Sequence, residues 1–332
     1  MNKIFFIYMT LEEIKAPIET HFNEFNTFFK EYLKSDVALL DLIIGYITRK
    51  KGKQVRPLLV LLSAELCGGV NKKTYVGAAM VELLHTATLV HDDVVDKASI
   101  RRGIATINAE WNNKIAVLIG DFLLAKGLLA SIDGGEFDFL RATSNAVRRM
   151  SEGELRQIQK SMDFSADEET YFRIIADKTA SLLASCCEIG AISSTTDKQK
   201  QYLLRDYGEY TGIAFQIRDD IFDFKSKGSI IGKPVGNDLK EKKITLPLLF
   251  SLRNAPPKQA SEIKKMIKDT KLKAAQIKEI SKFVIDNGGI DYAESKARFY
   301  SEKAQATIVN FVDCPAKRSL IAFSNFVIER QK

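Results

Sequence analysis

The chain has 332 residues, 45 % hydrophobic, a length that permits two domains, yet its 7 prolines and 19 glycines suit one large helical core equally well. Its formal charge of +7 is spread among many acids and forms no basic stripe with interleaved aromatics, which argues against a nucleic-acid partner and leaves an anionic small substrate or a lysine-rich surface. The four cysteines, Cys67, Cys186, Cys187 and Cys314, have neither the density of a secreted scaffold nor a metal-ligand spacing with His21, His85 and His91, so any metal should be oxygen-ligated Mg²⁺.

The first nine residues include an apolar run from Ile4 to Met9 but lead straight into Thr10-Leu11-Glu12-Glu13, a helix capping box with no small-residue cleavage site. Residues 1–10 are therefore read as an extension of a cytosolic chain, and 11–332 as a single domain. No run reaches the ~18 apolar residues of a membrane span. Apolar residues recur at three- and four-residue spacing through most of the chain, and no period-two series argues for strands. The spacing predicts an all-α protein with helices near 11–34, 36–50, 53–68, 72–96, 105–134, 137–160, 167–192 and 197–225, and shorter ones from 243 onward. Breaks are expected at 51–57, where Pro57 opens a helix, at 97–103, at the glycine-rich 226–243 and at 254–257.

Two aspartate triplets share one spacing, Asp92-Asp93-x-x-Asp96 and Asp219-Asp220-x-x-Asp223, each at the carboxyl end of an apolar helical stretch. At about 100° per residue the three acids of each triplet fall within an arc of about 100°. Each triplet is thus expected to form one acidic face. A single such face is as easily a solvated helix end, but the repetition points to Mg²⁺, which takes one or two carboxylates and completes its shell with water and phosphate oxygens. Two facing triplets would hold a diphosphate through several metals.

On the first acid helix His85 lies about 20° from the direction of Asp92 and roughly 10 Å toward the amino end. Leu84, Ala87 and Thr88 lie on an adjoining arc and would line a wall beside the metals. On the second, Gln216 falls inside the acidic arc, and Gly212 hints at a close approach because glycine costs about 1 kcal/mol in mid-helix. Lys178-Thr179 interrupts an apolar helix with a cation that either snorkels or meets an anion. Cations flanking the acid faces are Lys53, Arg56, Arg101, Arg102, Lys178, Lys233 and Lys243; arginine forks suit phosphate oxygens and lysines act as point charges.

Together these segments resemble the trans-isoprenyl diphosphate synthases, or polyprenyl synthetases, over nearly the whole chain from residue 11. The stretches that carry the resemblance are His85-Thr86-Ala87-Thr88-Leu89-Val90-His91-Asp92-Asp93-Val94-Val95-Asp96 with Arg101-Arg102-Gly103, and Gly212-Ile213-Ala214-Phe215-Gln216-Ile217-Arg218-Asp219-Asp220-Ile221-Phe222-Asp223. Gly52-Lys53-Gln54-Val55-Arg56-Pro57, Gly232-Lys233-Pro234-Val235-Gly236-Asn237-Asp238-Leu239 and Lys243-Ile244-Thr245-Leu246-Pro247 are similar to further family segments. The resemblance implies one large bundle of antiparallel helices around a deep central cavity, usually a homodimer. It implies that Asp92, Asp93, Asp96, Asp219, Asp220 and Asp223 bind about three Mg²⁺ on an allylic diphosphate. Arg101, Lys178, Lys233 and Lys243 would contact that diphosphate, and Lys53, Arg56, His85 and Arg102 would hold isopentenyl diphosphate. Thr179 and Gln216 would line the reacting centre. Lys242 departs from the pattern, since relatives often have glycine there, and leaves open which of Lys242 and Lys243 reaches substrate. In the family a bulky aromatic at the position of Ala87 stops growth at short products. Ala87 with Leu84 and Thr88 therefore implies a long-chain product near octaprenyl, of the kind attached to quinones, with at most peripheral membrane contact at release. The alternatives are a short-chain farnesyl or geranylgeranyl synthase and a non-catalytic subunit of a heteromeric synthase.

Overall fold

The computed structural model describes residues 9–49, 52–163, 167–225, 236–268 and 272–330. Its helices, in order, are α1 Leu11–Lys15, α2 Glu19–Tyr32, α3 Ala38–Arg49, α4 Val55–Cys67, α5 Lys72–Val95, α6 Ile107–Glu110, α7 Asn113–Asp133, α8 Phe137–Asp163, α9 Glu168–Ile175, α10 Ser181–Ser194 and α11 Lys198–Lys225. After them come α12 Asn237–Lys240, α13 Leu246–Asn254, α14 Pro257–Lys268, α15 Ala274–Asp286, α16 Gly289–Thr307 and α17 Pro315–Glu329. The all-α expectation holds. Among the described residues the exception is a two-stranded hairpin, β1 Ile100–Arg101 against β2 Ile104–Ala105, which pairs Arg101 with Ile104 across a turn at Arg102 and Gly103. Two residues per strand are too few to leave a period-two signature.

The helix expected at 11–34 is broken: Pro17 has no amide hydrogen to donate, and Ala16–Ile18 tighten into a 3₁₀ turn. The expected capping box is present, Thr10 Oγ1 accepting from the Glu13 amide and Glu13 accepting from the Thr10 amide at 2.7 Å. The helix expected at 167–192 carries one π-helical turn, Ala176–Ala180, between α9 and α10.

The chain divides into two compact units. One comprises Met1–Asn145, Leu183–Arg205 and Asn310–Ala322. In it α4 is apolar on all sides and buried along Leu58–Ala64, as a helix without a solvent face must be. Asn71 caps α5 through the Lys73 and Thr74 amides, and Asn112 caps α7 through Ile115. α5 and α7 share a core of Leu83, Ala87, Val90, Ala116, Ile119 and Leu123. By length and composition α7 could cross a membrane, although Asp121 and Lys126 interrupt it and one face lies in this core. Its other face exposes Val117, Leu118, Leu129 and Ile132.

The second unit comprises Ala146–Leu182, Asp206–Val309 and Phe323–Lys332. Its core gathers Tyr171 and Ile175 of α9, Ile217 and Ile221 of α11, and Ile280, Phe283 and Val284 of α15.

Candidate active site

In the first unit α5 delivers the first triplet: Asp92 and Asp93 sit in its last turn, and Asp96 caps its carboxyl end with its amide on the Asp92 carbonyl at 2.8 Å. The triplet does not form the single acidic face expected. Asp92 and Asp96, four residues apart, are exposed together, whereas Asp93, one step of about 100° round the helix, is only 5 % exposed. Arg101 of β1 donates Nε to Asp93 Oδ1 at 2.8 Å. Burial pushes the Asp93 carboxyl above its usual pKa despite the opposing guanidinium. Two exposed carboxylates at a helix carboxyl end meet the negative pole of the helix dipole, so a cation there relieves about 0.3–1 kcal/mol per charge.

Two turns back, His85 lies among Arg56, Arg101 and Arg102, and burial together with these guanidinium groups pushes its pKa down to about 2. Burial likewise lowers Arg56, whose Nε is buried without a hydrogen-bond partner. Gly52 lies against Arg102: a Cβ at 52 would stand 2.4 Å from Nη1, so only glycine lets the guanidinium rest there. Arg102 itself has a φ of +52° in the hairpin turn. Three guanidinium groups, a neutral imidazole and an orphaned N–H make a site wanting an anion. Lys53 is exposed at the approach to α4.

The His85 environment has a measurable consequence. The unfolded chain takes up a proton near 6.5 while the folded one holds the ring neutral, so stability present above pH 6.5 is lost as the pH falls, by about 2 kcal/mol at pH 5. In anion-free urea melts at pH 7 and pH 5, His85→Gln is expected to lose that much less than wild type. Equal losses would mean that the ring titrates freely.

In the second unit the π turn carries Lys178 and Thr179. Such turns recur where a helix must re-aim side chains. Here Thr179 Oγ1 donates to Gln216 Oε1 at 2.9 Å, and Gln216 Nε2 donates to Asp220 Oδ1 at 2.8 Å. Tyr171 Oη donates to the other Asp220 oxygen at 2.7 Å. Both oxygens of Asp220 are thus engaged, and burial, with Asp238 nearby, raises its pKa to about 8. The second triplet is therefore split like the first. Gly212 does mark a close approach, since a Cβ there would lie 2.6 Å from Ala180 Cα in the π turn.

Lys178 pairs with Glu154 of α8 and donates to Gln157 Oε1 at 3.2 Å. Lys243 pairs with Glu241 and lies 3.7 Å from Asp238; burial opposes its charge, but these carboxylates prevail and raise its pKa. A cavity of about 100 Å³ is bordered by Lys178, Thr179, Gln216, Asp220, Asp238 and Lys243. Lys242 turns elsewhere, toward the Lys268 carbonyl, with a φ of +58° that suits glycine. Lys243 is the one at this cavity. Lys233 lies outside the described residues.

Asp223 Oδ2 accepts from the Asp238 amide at 3.3 Å, and Asp219 Oδ1 accepts from Arg330 Nη2 at 2.6 Å. The Arg330 side chain is 11 % exposed and stacks over Phe215, 3.9 Å from the ring centroid. Mg²⁺ at Asp219, which the resemblance implies, would have to compete with this pair, which contributes about 1 kcal/mol. Arg330→Gln is expected to lower the Mg²⁺ concentration for half-maximal turnover about fivefold. An unchanged metal requirement in a magnesium titration would exclude that competition.

Tyr171, Glu154, Gln157, Asp238 and Arg330 were not singled out from sequence. The i, i+3 spacing of Glu154 and Gln157 on α8 was a usable signal, whereas Arg330 lies more than a hundred residues from Asp219 and had none. Leu84 and Ala87 are buried, Thr88 is half-buried, and Ala87 packs in the α5–α7 core.

Among the described residues no group of three or more His, Cys, Asp or Glu side chains gathers as a metal cage. The exposed pair Asp92 and Asp96 is a donor set that fits Mg²⁺ held by one or two carboxylates plus phosphate oxygens.

The polyprenyl synthetase family model matches residues 37–284, and the chain belongs to that family. It is 33 % identical over 324 residues to the octaprenyl diphosphate synthase of Escherichia coli K12, covering 98 % of this chain and 100 % of that one. It is 34 % identical to the all-trans-nonaprenyl-diphosphate synthase (geranyl-diphosphate specific) of Rhodobacter capsulatus, over 96 % of this chain and 98 % of the relative. Its fold matches the crystal structure of a polyprenyl synthase from Caulobacter crescentus complexed with calcium and isoprenyl diphosphate, with a TM-score of 0.90 and 32 % identity over 98 % of this chain and 99 % of the other. The chain is thereby a trans-prenyltransferase.

Proposed function

We propose that this enzyme extends an allylic diphosphate with isopentenyl diphosphate to an all-trans product near octaprenyl, of the kind attached to quinones, and that residues 11–332 act as one catalytic domain. One observation carries this reading: α5 presents an exposed acid pair, Asp92 and Asp96, and two turns earlier His85, around which Arg56 of α4 and Arg101 and Arg102 of the hairpin gather. Metal-bridged and direct capture of phosphate are thus both arranged along one helix, as joining two diphosphates requires.

Asp92, Asp96, Asp219 and Asp223 would hold about three Mg²⁺ on the allylic diphosphate. Asp93 and Asp220, with their oxygens engaged by Arg101, Gln216 and Tyr171, would instead position Arg101 and Gln216. When bound, Mg²⁺ supplies charge stabilisation to the departing diphosphate. Arg101, Lys178, Lys233 and Lys243 would take up the same charge, while Lys53, Arg56, His85 and Arg102 hold isopentenyl diphosphate. The allylic C–O bond breaks, the isopentenyl double bond supplies the electrons of the new C–C bond, and loss of a proton regenerates an allylic diphosphate. No described side chain is placed as a strong base, and the released diphosphate accepts that proton. Thr179 and Gln216 would position the reacting carbons.

The exposed apolar face of α7 supports a homodimer. The four free cysteines, two of them buried, suit a reducing cytoplasm. Incubation with farnesyl diphosphate, labelled isopentenyl diphosphate and Mg²⁺, with and without chelator, tests the function: long labelled chains are expected only with metal. Labelled products ending at twenty carbons would select the short-chain reading. We place product-length control on the Leu84, Ala87 and Thr88 arc, and Ala87→Tyr is expected to shorten the product, at a stability cost of about 1–3 kcal/mol for overpacking. Chromatography showing unchanged chain lengths in a folded variant would overturn that placement.

A further inference from the structure

Helix α5 borders a cavity of about 560 Å³ in the first unit on a side that excludes Leu84, Ala87 and Thr88. Its other walls are α2, α3 and the hairpin, which Tyr46 of α3 fixes by donating Oη to the Ala105 carbonyl at 2.9 Å. Arg49, His85, Arg101 and Arg102 contribute to the lining, and so do Phe29, Leu33, Ile44 and Ile47. The two kinds of residue are segregated. A small neighbouring void of about 20 Å³ shares those four apolar side chains and adds Leu83 and Leu123, with Thr48 and Thr86 bonded back to the carbonyls of Ile44 and Glu82, so that end is mainly apolar. The carboxylates at the polar end are already committed, Asp93 to Arg101 and the half-buried Glu82 to the field of Arg56 and Arg102. The polar end therefore keeps a surplus of positive charge.

A five-carbon isopentenyl group leaves most of such a space empty, since cavities of about 300–1,000 Å³ enclose ligands of drug size. We infer that this cavity is a second prenyl diphosphate site, with the diphosphate on the His85 and arginine cluster and the isoprenoid chain laid along α2 and α3. The inference rests on the proposed role of that cluster in holding isopentenyl diphosphate. Its charges are all supplied by protein, so binding here needs no metal. A longer prenyl diphosphate seated in this way occupies the isopentenyl diphosphate position and inhibits chain extension.

Gly45 lines the cavity in mid-helix, and a Cβ there would meet no atom within 4 Å, so the position accepts a side chain without disturbing α3. Calorimetric titration of the full chain with farnesyl diphosphate in excess chelator is expected to show one site per chain that inorganic pyrophosphate displaces, with no binding of farnesol. Gly45→Phe should weaken farnesyl diphosphate about tenfold or more, the scale of excluding a buried methylene or two, while isopentenyl diphosphate binds as before. Gly45→Ala should behave as wild type. With Mg²⁺, farnesyl diphosphate at high concentration should inhibit competitively against isopentenyl diphosphate, and Gly45→Phe should relieve the inhibition at unchanged kcat. Absence of metal-free binding, or binding that Gly45→Phe leaves intact, overturns the site. Failure of the prenyltransferase reading would show separately, as no incorporation of labelled isopentenyl diphosphate by wild type, because the titration does not depend on turnover.

Discussion

Asp92→Asn is expected to bind isopentenyl diphosphate as wild type does and to turn over about a thousandfold more slowly, the scale seen when one group stabilising a developing charge is lost. Asp92 is exposed at the end of α5 beside Asp96. Asparagine keeps the shape but removes the charge that would bring a cation to the leaving diphosphate. Its melting temperature should stay within a degree or two of wild type, since removing a negative charge from a helix carboxyl end relieves its repulsion from the helix dipole. Titration of isopentenyl diphosphate in chelator and steady-state kinetics with Mg²⁺ check the two halves. Wild-type kcat would remove Asp92 from the site. Weakened isopentenyl diphosphate binding would mean that the acid pair and the His85 cluster are not separate anion sites.

Gly212→Ala is expected to cost about 1–3 kcal/mol of stability, because the new methyl must push against the Ala180 backbone, which has no rotamer by which to yield. The same push shifts α11 against the π turn and pulls Gln216 away from Thr179. Since a displacement of about 1 Å at reacting groups costs on the order of a hundredfold, kcat should fall by about that factor while isopentenyl diphosphate affinity is unchanged. Thermal melts and kinetics together are the check. A stable variant of reduced kcat would assign the effect to position alone; a variant unchanged in both would refute the close contact.

Much of the site was legible because helices write their faces at fixed intervals. The facing of each triplet and the distance from His85 to Asp92 follow from 3.6 residues per turn, and the close approach at Gly212 from the cost of glycine in mid-helix. Helix termini were legible where a cap is chemical, as at Thr10 with Glu13. Spacing does not say which side of an acidic arc meets the core. Asp93 and Asp220 turned inward because Arg101 and Tyr171 wait there, and both partners come from other elements. Pro17 is visible in the sequence, yet whether it bends or merely tightens α1 depends on the packing of Ile14 and Ile18 around it.

The sequence by itself determined the helical class, the family and the kinds of charge the site holds, since these depend on residue type and local period. Tertiary structure alone decided which carboxylates are buried, that Lys243 and not Lys242 borders the cavity, and that Arg330 from the last turns of the chain lies on Asp219. Those outcomes are contacts between segments distant in the chain, and burial and pairing energies at such contacts have no local trace in the order of residues.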